Sequence, residues 1–195
     1  MAYKPQIIGL AGTNGSGKDT VGHLLAEHHG YLFISITELL RSELKRRHIE
    51  VTRQHLRELS AEWRRELGLG VLIDKAVAEY NISKNKYTGV VITSLRNPGE
   101  ADRVHALGGT VVWIDADPRI RYERIQKNAK ARGRAGEDNK TFEEFQAEEA
   151  AEMSTTGDSA TLNMSAVKEL SDVFPNNNSP DLETFKQDVE QALGL

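Results

Sequence analysis

The sequence contains no cysteine and only five prolines in 195 residues. Without cysteine the chain has no disulfide, no thiol nucleophile and no thiolate metal ligand. Long apolar runs are also missing, since none approaches the roughly 18 residues of a membrane span, and residues 1–6 show no signal-peptide pattern. With 38% hydrophobic and 28% charged residues, the composition excludes disordered and collagen-like chains. We therefore expect one cytoplasmic globular domain over residues 1–195, with no membrane partner.

The charge is unevenly distributed along the chain. Residues 1–135 carry 22 lysines and arginines against 15 acidic residues, whereas residues 136–195 carry 3 against 14. Such segregation is compatible with an anionic ligand, with a nucleic acid, or with charged helix faces in solvent. We expect the acidic residues at 143–152 and 181–190 to be helix caps and solvated helix surface.

The hydrophobic pattern alternates between short apolar runs and amphipathic stretches. Apolar runs at 6–11, 31–36, 90–92 and 111–114 predict strands buried on both faces, and 173–174 predicts a short fifth strand. Helical spacing or capping signals predict helices at 20–28, 39–47, 56–67, 71–80, from 118, at 141–153 and from 179–180, with an exposed connection at 154–165. Trp63 and Trp113 fall at core positions. This order predicts a three-layer α/β/α fold with a mostly parallel five-stranded sheet.

A glycine-rich segment follows the first strand directly. Residues 12–18, GTNGSGK, fit the pattern G-x-x-x-x-G-K between a strand and a helix, the context in which this loop binds phosphates. Backbone N–H groups and the helix N-terminus can surround phosphate oxygens there, and Lys18 can reach the β- and γ-phosphates. The predicted nucleotide contacts are Gly12, Asn14, Gly15, Ser16, Gly17, Lys18, Asp19 and Thr20.

The residue after the lysine departs from the usual loop. Asp19 stands where a serine or threonine hydroxyl ordinarily ligates Mg²⁺, and Thr20 follows. The metal would therefore be held by Thr20, by Asp19 through water, or mostly by the nucleotide and solvent.

With these segments the chain resembles the P-loop small-molecule kinases, the adenylate-kinase-like group with nucleoside monophosphate kinases and dephospho-CoA kinase, over nearly its whole length. The resemblance implies ATP and Mg²⁺ as cofactors, an acceptor-binding helical segment at about 37–80 and a lid at about 126–142. It also implies site residues beyond the loop. Thr37, Arg41 and Arg96 would bind the acceptor, Arg132 and Arg134 would close over the transferred phosphoryl group with Lys18, and Asn177 would lie in the adenine loop.

Carboxylates are missing from two positions where the resemblance would place them. The second strand ends with Ser35 and Thr37 nearby, and the third ends with Thr93 and Ser94, so that Glu38 and Glu100 are the nearest acids. A hydroxyl acceptor must lose a proton to a base, whereas a phosphate acceptor is already an anion. The absence therefore favours a phosphate acceptor.

The leading hypothesis is an ATP·Mg²⁺-dependent kinase that acts on a small nucleotide, most simply a nucleoside or deoxynucleoside monophosphate. Two alternatives stay open: a hydroxyl-directed kinase such as dephospho-CoA kinase, and an ATP-binding regulatory or assembly factor with weak ATPase activity. Basic helices around Arg46, Arg53 and Arg64 could bind nucleic acid, although we do not expect this. We expect a monomer or a homodimer.

Overall fold

A parallel four-stranded sheet organises the molecule. The structure is a computed structural model that describes residues 5–132, 140–154 and 157–195. The strands are β1 (Ile7–Gly12), β2 (Tyr31–Ser35), β3 (Gly89–Leu95) and β4 (Thr110–Ile114), in the order β2-β3-β1-β4. All three pairings are parallel, and the predicted mostly parallel α/β architecture is confirmed.

Helices follow each strand, as right-handed crossovers between parallel strands require. In chain order they are α1 (Lys18–His29), α2 (Ile36–Arg46), α3 (Arg53–Leu67), α4 (Val71–Ser83), α5 (Pro98–Ala106), α6 (Pro118–Arg132), α7 (Phe142–Met153), α8 (Met164–Glu169) and α9 (Leu182–Leu193). A 3-10 turn, Lys84–Lys86, follows α4. No helix in these described ranges is both long and apolar enough to cross a membrane.

The predicted count of five strands is wrong. The segment near Val173 lies beside β4 but forms only two isolated bridges with it, Val112 to Val173 and Asp115 to Asn176. Pro175 interrupts this segment and has no N–H to donate to a strand ladder. The edge of the sheet is thus covered by an irregular segment.

Both faces of the sheet are buried, as the unbroken apolar runs predict. Along β3, Val90 and Ile92 belong to one core cluster and Val91 belongs to the other. The first cluster packs against α2 to α5 and α8 and contains both tryptophans, which confirms their core assignment. The second packs against α1 and α9.

The helix boundaries confirm some of the local sequence signals and correct others. The capping box of Thr141 and Glu144 is confirmed at the start of α7. After β3 the chain enters a helix at once, because Asn97 caps α5 and its N3 residue Glu100 completes a second capping box. The terminal helix is capped by Asp181, two residues later than expected. The connection predicted at 154–165 is not uniformly exposed, because Ala160 and Met164 are buried.

The predicted acceptor-binding segment at 37–80 corresponds to α2, α3 and α4. Helix α6 runs to Arg132 and so enters the predicted lid at 126–142. Residues 133–139, including Arg134, lie outside the described residues. The lid stays a prediction.

A buried ion pair joins the helical segment to the sheet. Arg64 of α3 donates from Nε and Nη2 to Oε1 of Glu100, at 3.0 and 2.6 Å. Both side chains are at most 2% exposed. The other carboxylate oxygen, Oε2, accepts the backbone N–H groups of Arg96 at 2.7 Å and Asn97 at 3.2 Å. Removal of either partner would leave an uncompensated charge in the core.

We expect Glu100→Gln to lower the free energy of unfolding by about 3–5 kcal/mol, because Arg64 would be buried without a counter-ion. Equilibrium urea unfolding measures this change. Arg65→Gln is the control. Arg65 lies next to Arg64 on α3 but forms an exposed pair with Asp158, so its substitution should change the free energy of unfolding by less than about 1 kcal/mol. Equal effects of the two substitutions would contradict the structural role assigned to Glu100.

Candidate active site

One large cleft opens at the carboxyl ends of the strands, where open parallel sheets bind their ligands. Its volume is about 720 Å³, and its walls come from the glycine-rich loop, the first turns of α1 and α2, one face of α3, the end of β3, the middle of α6 and the segment before α9. This volume is within the range of small-molecule binding sites. A single cleft therefore joins the predicted phosphate loop to the predicted acceptor segment.

The glycine-rich loop has the backbone conformation that its glycines permit. Gly15 and Gly17 have φ values of 80° and 101°, in the left-handed region. A Cβ on Gly17 would also lie 2.4 Å from Nδ2 of Asn177, which donates to the carbonyl of Ser16 at 2.9 Å. Lys18 Nζ donates to the carbonyl of Thr13 at 3.3 Å, so the lysine lies along the loop at the start of α1. These features fit an anion-binding loop.

Most of the residues predicted from the sequence line this cleft. They are Asn14, Gly15, Gly17, Lys18, Asp19, Thr20, Thr37, Arg41, Arg96 and Asn177. Gly12 and Ser16 are buried beneath the loop instead. Gly12 abuts the carbonyl of Ile114, where a Cβ would lie at 2.1 Å, so the close approach of the loop to β4 requires a glycine here, and its contact with a nucleotide stays a prediction. Arg132 ends α6 and Arg134 is outside the described residues, so their roles stay predictions.

Oxygen ligands for a metal are few at this site. Asp19 and Thr20, in the first turn of α1, both line the cleft beside Lys18. In the described ranges no group of three or more His, Cys, Asp or Glu side chains is arranged to hold a metal. Two protein oxygens fit Mg²⁺, which keeps several waters and takes further ligands from substrate phosphates.

Arg124 of α6 is a cleft residue without a predicted individual role. Its Nη2 lies 3.4 Å from both Oδ1 of Asn177 and the carbonyl of Ser179, whereas its Nη1 is buried without a hydrogen-bond partner. Burial lowers the pKa of this guanidinium. An unpaired buried donor is costly, so a ligand atom that accepts from Arg124 would be favoured at this end of the cleft.

One face of α3, which lies within the predicted acceptor-binding segment at 37–80, also lines the cleft, although none of its residues was individually predicted as a site residue. Arg53, Arg57, Ser60 and Arg64 follow each other at spacings of four, three and four residues. This spacing places the four residues on one face of α3, and it was the sequence signal by which they could have been identified. Arg53 and Arg64, considered above for nucleic acid binding, are therefore walls of the cleft.

Glu152 of α7 is the most informative residue that the sequence analysis missed. Its Oε1 accepts from Nη2 of Arg57 at 2.8 Å, and its Oε2 accepts from Nη1 of Arg96 at 2.7 Å. Burial opposes its ionisation, but the positive charges of Arg96 and Arg57 prevail and lower the pKa of this carboxyl. The expectation that residues 143–152 are capping and solvated surface is wrong here, because Glu152 is 14% exposed and lines the cleft.

The carboxylates expected to be nearest the acceptor are not in the cleft wall. Glu38 is 61% exposed and pairs with Arg41, and Glu100 is committed to Arg64. Ser94, at the end of β3, does line the cleft and has a φ of 74°, an uncommon conformation for serine. It coincides with a register shift where β3 passes β1. Among described residues the carboxylates that line the cleft are Asp19 and Glu152.

Solved structures of small-molecule kinases share this fold. A shikimate kinase from Bacteroides thetaiotaomicron superposes with a TM-score of 0.58 at 17% identity, covering 97% of this chain and 98% of the kinase. A gluconokinase from Sinorhizobium meliloti gives a TM-score of 0.51 at 18% identity, covering 99% and 94%. At these identities the similarity concerns the fold, which is that of the P-loop kinases.

Sequence similarity identifies the family. A family model described as an AAA domain, AAA_18, matches residues 8–150. A UPF0200 protein of Hyperthermus butylicus is 33% identical over 148 residues, which covers 75% of each chain. The range matched by the family model includes the glycine-rich loop, the helical segment and most of α7. The chain belongs to the UPF0200 family and carries its glycine-rich loop in an AAA_18 domain with a P-loop kinase-like fold.

Proposed function

We propose that this protein transfers the γ-phosphoryl group of ATP to a small phosphate-bearing acceptor, most simply a nucleoside or deoxynucleoside monophosphate. The observation that carries the proposal is the single 720 Å³ cleft, which has the glycine-rich loop at one end and the arginines of α2, α3 and the β3 end at the other. Phosphoryl transfer between two anions requires both groups to be held in line while positive groups neutralise their charge.

In this proposal each end of the cleft binds one substrate. The loop and the N-terminus of α1 bind the phosphates of ATP, and Lys18 binds the group that is transferred. Mg²⁺, when bound near Asp19 and Thr20, supplies further charge neutralisation. Asn177 and Arg124 line the end assigned to adenine.

The acceptor end carries the larger number of guanidinium groups. Arg41 and Arg96 line it with Thr37, and both can bind a phosphate through two parallel hydrogen bonds. Arg132 and Arg134 would complete the charge on the transferring group. An acceptor that already carries a phosphate suits this end of the cleft best.

The carboxylates of the cleft support a phosphate acceptor rather than a hydroxyl acceptor. A hydroxyl nucleophile needs a general base whose pKa lies near the working pH. Glu152 is held by two arginines that lower its pKa, which makes it a weak base. Ser35 and Ser94 line the cleft where the strands end and cannot serve as bases at neutral pH. A hydroxyl-directed kinase such as dephospho-CoA kinase remains the alternative.

We expect ADP release from ATP to depend on one of AMP, GMP, CMP, UMP or dTMP and to be slow with dephospho-CoA. A coupled assay of ADP release across this panel measures the dependence. Turnover with dephospho-CoA alone would replace the proposal by its alternative. ATP hydrolysis that responds only to a macromolecule would indicate a regulatory ATPase instead.

Lys18→Met should weaken ATP binding at least about tenfold, because hydrogen bonds to charged groups contribute about 1.5–3 kcal/mol. Isothermal titration with a non-hydrolysable ATP analogue and Mg²⁺ measures this. Lys84→Met is the matched control, since Lys84 lies in the exposed 3-10 turn far from the loop in sequence. Unchanged analogue affinity in Lys18→Met would show that the loop does not bind the phosphates as proposed.

Arg96→Gln should raise the KM for the acceptor about tenfold or more and leave the KM for ATP within about twofold, since it removes one charge-assisted contact from the acceptor end. Steady-state kinetics with each substrate varied separately reveal the split. Arg103→Gln, which breaks an exposed pair with Asp74, should alter neither constant. An equal rise in both constants would argue against acceptor binding by Arg96.

A further inference from the structure

A protein carboxylate already occupies two of the arginines at the acceptor end of the cleft. Glu152 bridges Arg57 and Arg96 with one charge-assisted hydrogen bond to each, at 2.8 and 2.7 Å. The two arginines come from α3 and from the end of β3, and without the bridge they would present two like charges across the cleft. Glu152 thus stands where an anionic group of an acceptor would meet both guanidinium groups.

We propose that Glu152 determines specificity by admitting a phosphate dianion to Arg57 and Arg96 and excluding carboxylates and other monoanions. The inference rests on the proposed function only in assigning this end of the cleft to the acceptor. An entering anion must displace Glu152 from at least one of the two arginines. A carboxylate that does so exchanges one carboxylate contact for another and gains nothing.

A phosphate dianion makes this exchange favourable. It carries nearly twice the charge of a carboxylate and has three acceptor oxygens, so it can bind both guanidinium groups at once. Glu152 stays attached to the chain and close by, and its charge repels any anion that is bound there. The ligand must therefore interact strongly enough with the arginines to outweigh this repulsion, which a monoanion does not.

The helix that carries Glu152 is fixed in place and is therefore part of the wall of the cleft. Phe145 of α7 is buried, and Glu149 accepts from Arg121 at 2.7 Å. At the end of the helix the carbonyl of Met153 accepts the hydroxyl of Ser165 at 2.6 Å. These contacts hold α7 on both sides of Glu152, so displacement of its carboxylate is a side-chain rotation and the charge remains near the site.

A different role for Glu152 gives the opposite result in a binding experiment. If the carboxylate served only to align Arg57 and Arg96 for the acceptor, its neutralisation would weaken phosphate binding. If it competes with the acceptor, as proposed, its neutralisation strengthens the binding of phosphate and of carboxylates alike. The sign of the change separates the two roles.

The test uses protein saturated with Mg²⁺ and a non-hydrolysable ATP analogue, so that the glycine-rich loop is filled and only the acceptor end is probed. Inorganic phosphate and acetate are titrated separately at pH 8 by calorimetry into wild type, Glu152→Gln and Glu143→Gln. Glu143 is an exposed residue in the first turn of the same helix, and its substitution removes the same charge.

We expect wild type and Glu143→Gln to bind phosphate and to discriminate strongly against acetate. In Glu152→Gln the affinities for both anions should rise about tenfold or more, which is the contribution of one charge-assisted hydrogen bond, so that acetate binding becomes measurable. Unchanged or weaker phosphate binding in Glu152→Gln overturns the proposal.

Two features make this test independent of the test of the proposed phosphoryl transfer. No turnover is measured, so a failed acceptor panel leaves the binding result valid, and a working kinase with unchanged anion affinities in Glu152→Gln rejects only the role of Glu152. If Glu152→Gln does not fold, a crystal structure of the wild-type protein with phosphate replaces the titration. Phosphate oxygens on Arg57 or Arg96 in place of Glu152 are expected, and a phosphate bound elsewhere with the bridge intact overturns the proposal.

Discussion

The carboxylate of Glu100 is the contact on which the end of the cleft formed by α3 and Arg96 depends. One oxygen binds the guanidinium of Arg64 and the other binds the backbone of the two residues that follow β3. Arg64 also donates to the carbonyl of Ala160, so three segments far apart in sequence meet at one buried pair. Because the desolvation of such a pair is repaid only by complete hydrogen bonding, its geometry is strict. The position of Arg96 follows from it.

The two ends of the cleft are built by different physical means. The nucleotide end consists of backbone: left-handed glycines, N–H groups and a helix N-terminus, with Asn177 fixing the loop through the carbonyl of Ser16. The acceptor end consists of side chains, and its shape depends on ion pairs between α3, the end of β3 and α7. A backbone site tolerates sequence change outside its glycines, whereas a side-chain site can change its ligand through a single substitution. We therefore expect the ligand of the side-chain site to be the easier of the two to change by substitution.

This difference explains what the sequence could predict. The loop, its strand and its helix are local, so the spacing of glycines and Lys18 was sufficient to predict the strand–loop–helix unit that forms one end of the cleft. Glu152 could not be found in this way, because its partner Arg57 lies 95 residues earlier in the chain and no local pattern joins them. The prediction of a fifth strand was wrong for a local reason. It rested on the two apolar residues at 173–174 and ignored Pro175, which cannot donate to a strand ladder. The capping box at Asn97 and Glu100 is a local signal as well, although no helix was predicted there.

The segregation of charge along the chain reflects ion pairs within the protein as well as the proposed binding of an anionic ligand. Arginines of the basic part bind acids of the acidic part across the fold, and the pairs with side chains from α7 and the segment after it are Arg53–Glu148, Arg57–Glu152, Arg96–Glu152, Arg65–Asp158 and Arg121–Glu149. Much of the basic excess is thus neutralised within the molecule. An anion that binds the cleft must compete with these carboxylates, so a high local density of arginine does not by itself imply high affinity for every anion. The carboxylates of the acidic segment pair with these arginines, so only an anion that binds the arginines more strongly than a carboxylate can displace them.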